Sequence, residues 1–378
     1  MKSKFSAIIM GVIIFLIICV IFIFGVIIVK EVGQSLSDLQ TSGEPENFKT
    51  VISDTLNTID NNIEAPEIIE NPLNKITDNS QKENNIDYSS INIDKYFYNQ
   101  LEESSKFIYK AFESNKEEMK TGTHQINLGN KFSDLLEQED GQKKLGDYYQ
   151  SAIEAYTYDN PEVFYLSPNK MYLNIETTTF KNSKTYNVYI SNGKENNYLI
   201  DEYLSKEQVQ NDINKIEQVK NNIISNKTAS TYDNIKMVHD YLVNNVEYDS
   251  SVSKENIYNV YGALVNNIAV CEGYARSFKY IMDNMQIPCV LVIGKGTNSQ
   301  GQTENHAWNY VMLNNVWYAV DTTWDDPIIS GNGIISKSLK YKYFLKGNNT
   351  FSKDHIPSGQ FTPNGKIFKY PLLNEQDY

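Results

Sequence analysis

At 378 residues the chain has room for two domains and a tail, since domains commonly run ~100–200 residues. Asp and Glu number 47 against 34 Lys and Arg, a net charge of −13, which argues against a nucleic-acid partner because phosphate binding needs concentrated positive charge. Three cysteines are too few for a disulfide-framed scaffold.

Phe5 to Val29 carries no charge over 25 residues. As a helix it would be ~37 Å long, enough to cross a ~30 Å hydrocarbon core with some tilt. A cleaved leader would have a shorter apolar run ending in small residues, whereas this one ends at Val29-Lys30-Glu31. An uncleaved anchor over residues 1–31 is expected, with Lys2 and Lys4 keeping the N-terminus cytoplasmic and the rest outside. Residues 32–90 are rich in Asn, Ser, Asp and Glu with no repeating apolar face, so they read as a flexible acidic and polar stalk.

An accessory α/β region is expected over 91–228. Phe97, Leu101, Ile108 and Phe112 fall near one helical face. A second helix covers about Lys144 to Tyr156 and stops at Asp159-Asn160-Pro161. Met171 to Ile175 and Thr185 to Ile190 read as strands, and Ser205 opens a polar helix to about Ile224 with Glu207 near a capping position. The many aromatic residues here read as core.

The region 229–378 carries the chemistry. Ile235, Val238, Tyr241 and Leu242 mark a helix, followed by Val246-Glu247-Tyr248-Asp249. Tyr274, Phe278, Ile281, Met282 and Met285 then recur at helical period until Gln286-Ile287-Pro288. Cys271 sits at that helix start, where free N–H groups and the positive dipole end favour a thiolate and can stabilise an oxyanion. Cys289 opens an apolar strand and reads as a buried core thiol.

His306 to Leu313 and Val316 to Thr323 read as strands joined by a two-residue Asn314-Asn315 turn. With Leu313 opposite Val316, His306 and Asp321 become diagonal neighbours on one face. A slip of one residue would move Asp321 to the other face. Cys271 as nucleophile, His306 as base and acid, and Asp321 as orienting carboxylate is the set that nucleophilic cysteine chemistry needs. Asp325 and Asp326 compete for the aspartate role. Tyr261 and Trp308 are candidate substrate contacts, although Trp308 also reads as packing beneath the set. His124, His239 and His355 are isolated from one another in sequence and are set aside. Arg276, the chain's only arginine, reads as a locally paired or solvated side chain. No metal-ligand spacing, phosphate loop or cofactor motif occurs, and the sequence names no oligomeric state.

The segments Val270-Cys271-Glu272-Gly273-Tyr274-Ala275, His306-Ala307-Trp308-Asn309 and Val316 to Asp325 resemble the transglutaminase-like superfamily, the papain-related cysteine fold. The resemblance covers about Tyr232 to Pro327. One departure is Ala269, where relatives often show glycine two residues before the thiol. The resemblance implies an α+β fold, with a cysteine-bearing helix packed on an antiparallel sheet and a triad on Cys271, His306 and Asp321. It further implies a bacterial, membrane-anchored thiol enzyme acting on amide bonds of peptides or cell-envelope proteins. The alternatives are a protein-glutamine transamidase and a catalytically inactive surface binding module.

Overall fold

A computed structural model describes residues 69–72, 86–180, 183–249, 251, 254–326, 339–358 and 366–378. The anchor expected over 1–31 and most of the stalk lie outside them. Among the described residues no helix is long and apolar enough to cross a membrane. All of them fall within one compact unit, 48–378.

In chain order the main elements are β1 (Ile69–Pro72), α1 (Glu103–Ser114), β2 (Ile126–Gly129), α2 (Gly141–Asp159), β3 (Tyr172–Phe180) and β4 (Ser183–Ser191). There follow α3 (Lys206–Ile224), α4 (Thr231–Asn245), β5 (Glu247–Tyr248), β6 (Ile268–Ala269), α5 (Cys271–Asn284), β7 (Cys289–Thr297), β8 (Thr303–Leu313), β9 (Val316–Val320) and β10 (His355–Pro357). The mixture is α+β, as expected. One sheet has the order β1-β3-β4-β2 and a second the order β10-β7-β8-β9, while β5 and β6 pair in parallel.

β1 falls inside the span read as stalk, yet Ile69 to Pro72 pair in parallel with Asn174 to Thr177. Tyr88, also inside that span, is buried. An edge strand offers unpaired N–H and C=O groups that can recruit a segment with no apolar periodicity. That recruitment is invisible to hydrophobic patterning.

The accessory helices form only in part as expected: Leu101 and Glu102 are extended, so Ile108 and Phe112 lie on α1 while Phe97 and Leu101 flank a short turn before it. Phe97, Leu101, Ile108 and Phe112 are all buried, and aromatic rings from Tyr109, Tyr149, Tyr156 and Tyr158 fill the same core. α2 runs to Asp159, where Pro161 two residues on cannot continue it. Ser205 caps α3 by accepting from Gln208 N at 3.3 Å, and Gln208 Oε1 accepts from Leu204 N at 2.6 Å. The reciprocal partner is therefore Gln208 and not the neighbouring Glu207.

The second sheet keeps the anticipated register, but β9 stops at Val320 and not at Thr323, so Asp321 is not a cross-strand neighbour of His306. Asn314 and Asn315 both take left-handed backbone, with φ of 54° and 62°, the two-residue turn that suits paired, twisted strands. Leu313 faces Val316 and Asn309 faces Val320.

α5 departs from the expectation of a one-sided amphipathic helix. The apolar stripe is buried as predicted, but every residue from Gly273 to Met282 is buried as well. Its polar face is covered, and its two cations are paired. Arg276 donates to Glu272 (2.7 Å) and to the Thr157 carbonyl at the end of α2 (2.6 Å), and Lys279 reaches Asp283 and the Cys289 carbonyl. A continuous buried cluster runs from Tyr88 to Phe368, with members on both sides of residue 228. Each large apolar side chain so buried contributes ~1.5–3 kcal/mol. The thiol-bearing helix is thus held from all sides.

Candidate active site

The start of α5 is positioned by backbone. Val270 is extended and donates from its N–H to the Ile257 carbonyl at 3.0 Å, and no side chain caps the helix. Gly273 permits this approach, since a Cβ there would meet the Ile257 oxygen at 2.3 Å. Cys271 is half-buried at the first helical position, beside first-turn amides that have no intrahelical acceptor. Cys289 is buried, and burial pushes its thiol well up. Both thiols are free.

His306 lies on β8, and its Nε2 is 2.7 Å from Asp321 Oδ2. The other ring nitrogen does not engage Asp321, and the Cys271 sulfur lies near the imidazole. Burial alone would lower the His306 pKa; Asp321 and Cys271 reverse this and hold it well above the ordinary imidazole range. Burial would likewise raise Asp321, but His306 and His355 keep it below the usual carboxylate range. Asp321 Oδ1 accepts from Thr323 N (2.9 Å) and Trp324 N (3.1 Å). Asp321 is therefore a buried, fully engaged anion. The competing acids go elsewhere: Asp325 pairs with buried His239 at 3.1 Å, and Asp326 accepts from Tyr274 OH at 2.6 Å.

Aromatic rings house the imidazole. Trp324 stacks on His306 with centroids 4.8 Å apart and planes at 24°. Gly296 on β7 makes the room, because a Cβ there would come within 2.8 Å of the Trp324 ring and 3.3 Å of the His306 ring.

Several sequence-derived candidates part company here. Cys271, His306 and Asp321 come together. Trp308 is only 1% exposed and packs edge-on against His355 and beside Phe351, so it supports the site from beneath and offers no substrate contact. Tyr261 stacks on Phe164 and its hydroxyl accepts from Lys215 Nζ of α3 at 3.2 Å. His124 meets Asn115 (2.8 Å), away from this cluster. Arg276 is locally paired, as read from the sequence.

Two residues went unassigned in the sequence. Tyr248, half-buried, sits opposite Ala269 in the β5–β6 ladder, two residues before the thiol. Enclosure pushes its phenol well above the ordinary value, with Cys271, Glu304, Tyr258 and Asp321 adding to the effect. It is thus a protonated O–H in the surroundings of the sulfur. The only prior mark was its place in Val246-Glu247-Tyr248-Asp249, the segment that follows α4. The second is His355, whose Nε2 lies 3.2 Å from Asp321 Oδ2. His306, Asp321 and His355 offer three ligand atoms within 4.8 Å of one another, a spacing a divalent metal could use. Hydrogen bonds among them account for all three atoms.

A thiol-bearing helix packed against an antiparallel sheet, with the imidazole on that sheet, is the architecture of the cysteine-protease-like class. Residues 217–322 match the transglutaminase-like superfamily, and this stretch of the chain is a transglutaminase-like domain. Members of that superfamily are usually cysteine-dependent enzymes. The chain is 28% identical over 153 residues to the kyphoscoliosis peptidase of Mus musculus, covering 38% of this chain and 23% of that protein's length. Among solved structures it is similar to a TGase (16% identity, 45% of this chain and 48% of that chain, TM-score 0.28). It is also similar to a putative cysteine protease from Cytophaga hutchinsonii (13% identity, 42% and 68%, TM-score 0.25).

Proposed function

We propose that this protein is a cysteine-dependent amide hydrolase acting on peptides or cell-envelope proteins. The observation that carries the reading is the buried His306–Asp321 pair at 2.7 Å with the Cys271 sulfur beside the imidazole. The Cys271 thiolate attacks the amide carbon, the C–N bond breaks, and His306 gives its proton to the leaving amine. Water then attacks the thioester while His306 takes its proton, releasing the carboxylic acid and restoring the thiol. The first-turn amides of α5 are the donors for the developing oxyanion, with the Tyr248 hydroxyl in the same surroundings.

The peptidase named among the relatives favours water as the second substrate, but that chain is matched over less than a quarter of its length. An anchor over Phe5 to Val29 would place the domain at the cell surface, with envelope peptides within reach.

Incubation of the protein with a peptide library or cell-wall material, with and without a primary amine, separates the outcomes. New free termini support hydrolysis, and amine incorporation would replace it with transamidation. Cys271→Ala is expected to abolish either activity while leaving the fold intact. A folded Cys271→Ala variant with undiminished turnover would remove the thiol from the mechanism.

A further inference from the structure

His355 lies beyond the family-matched stretch 217–322, on edge strand β10, where it faces Gly296 of β7. It is 1% exposed, and its ring is clamped by aromatic neighbours. Phe351 stacks on it (centroids 3.9 Å apart, planes at 20°), and Trp324, Trp308 and Tyr343 lie at 4.5, 5.0 and 5.2 Å. Nδ1 faces Asp354 Oδ1 at 2.7 Å, and Asp354 Oδ2 in turn accepts from Tyr343 OH at 2.8 Å. The ring therefore has little rotational freedom.

Its Nε2 points at the same Asp321 oxygen that His306 uses, at 3.2 Å. Because Asp321 is held as an anion, the group facing it must donate, so Nε2 of His355 presents a proton to Oδ2. With two backbone amides on Oδ1, the carboxylate then has four donors and one orientation. Two amides on one oxygen fix that oxygen; the lone pair aimed at His306 is set only when the second imidazole occupies the other side of Oδ2.

We propose that His355 is a positioning residue of the Cys271 site, acting through Asp321 to aim the His306 imidazole at the sulfur. The proposal rests on the thiol–imidazole–carboxylate reading above. Tyr248 from β5 lies near Cys271, with Glu304 of β8 and Tyr258 near Tyr248, and Asp325 lies near Asp321. These groups stay constant across the variants below.

The test is the pH dependence of iodoacetamide alkylation of Cys271 in the full chain, followed by mass spectrometry of the Cys271 peptide so that Cys19 and Cys289 do not contribute. His355→Phe keeps ring volume without a donor, whereas His355→Gln places an amide N–H near the Nε2 position. At about pH 6 the Phe variant is expected to react roughly tenfold to 100-fold more slowly than wild type, and the Gln variant within about threefold of it. A folded Phe variant as reactive as wild type overturns the proposal, as does a folded Gln variant as slow as Phe. If Phe does not fold, His355→Asn, whose amide falls one bond short, takes its place with the same expected loss. A Gln variant that does not fold also overturns it, because the residue would then be required for packing and not for orientation. The underlying reading fails separately, if wild-type Cys271 reacts at pH 6 no faster than an unassisted thiol.

Discussion

His306 Nε2 and Asp321 Oδ2 lie 2.7 Å apart although the β8–β9 ladder closes at Asn309 and Val320. Asp321 is the first residue past the paired strand, and its N–H donates instead to the Tyr343 carbonyl at 3.2 Å. Leaving the sheet frees the carboxylate to turn toward the imidazole, while the Thr323 and Trp324 amides hold its other oxygen. Asp321→Asn keeps the volume but places a neutral amide opposite His306. It is expected to cut turnover and Cys271 alkylation by roughly two to four orders of magnitude. The measurement is the alkylation rate of the folded variant; a loss under threefold would mean the imidazole needs no orienting anion.

Tyr248→Phe removes the phenolic hydroxyl and keeps the ring. If that O–H serves the oxyanion, turnover falls by roughly 10- to 1,000-fold with substrate affinity nearly unchanged. Steady-state kinetics on a cleaved peptide tell this from a binding role, in which KM alone would rise.

Gly296→Ala tests the space reserved for the imidazole. The added Cβ would press on Trp324 ring atoms at 2.8–2.9 Å and on His306 Cδ2 at 3.3 Å. Overpacking of this kind costs ~1–3 kcal/mol and displaces the stacked rings. A lower melting temperature together with slower Cys271 alkylation is expected. A more stable, fully reactive variant would show that the rings can give way without consequence.

Stability should fall as pH rises from about 5 to 8. Burial raises Asp159 and Asp325 to about 6 from the ordinary 3.8, so the folded chain holds those protons more tightly than the unfolded one. Their contribution is complete below 3.8 and is lost as pH climbs through about 6. For His239 and His306, burial opposes protonation and the neighbouring aspartates overcome it, so their raised pKa values contribute fully below about 6.5 and the contribution is lost at higher pH. Asp321 and Asp240 are lowered and oppose this trend only in more acidic solution, below the ordinary carboxylate range. A tenfold difference in proton affinity between the folded and unfolded chain is worth ~1.4 kcal/mol, so the net change is on the order of 1–3 kcal/mol. Melting temperatures across this window check the sign, and a rise from pH 5 to 8 would contradict it.

Local patterning determined much of this protein. The period of Tyr274, Phe278, Ile281 and Met282 defined α5 and placed Cys271 at its start, because the helical repeat and the Pro288 stop are properties of adjacent residues. Asn314-Asn315 set the hairpin register as far as Asn309 and Val320, since a two-residue turn leaves the pairing no freedom to slip, but Asp321 turns toward His306 only where the strand has ended. Tertiary structure decided what surrounds them. The polar face of α5 is buried because Thr157 and Asp283 satisfy Arg276 and Lys279, and β1 has a partner because β3 exposes an unpaired edge. Trp308 faces inward, and Tyr248 and His355 reach the site from 23 residues before Cys271 and 34 residues after Asp321. No period or turn rule links such distant positions; Tyr248 arrives by pairing with Ala269, and His355 because a buried carboxylate needs its acceptor sites filled and packing brings a donor from afar.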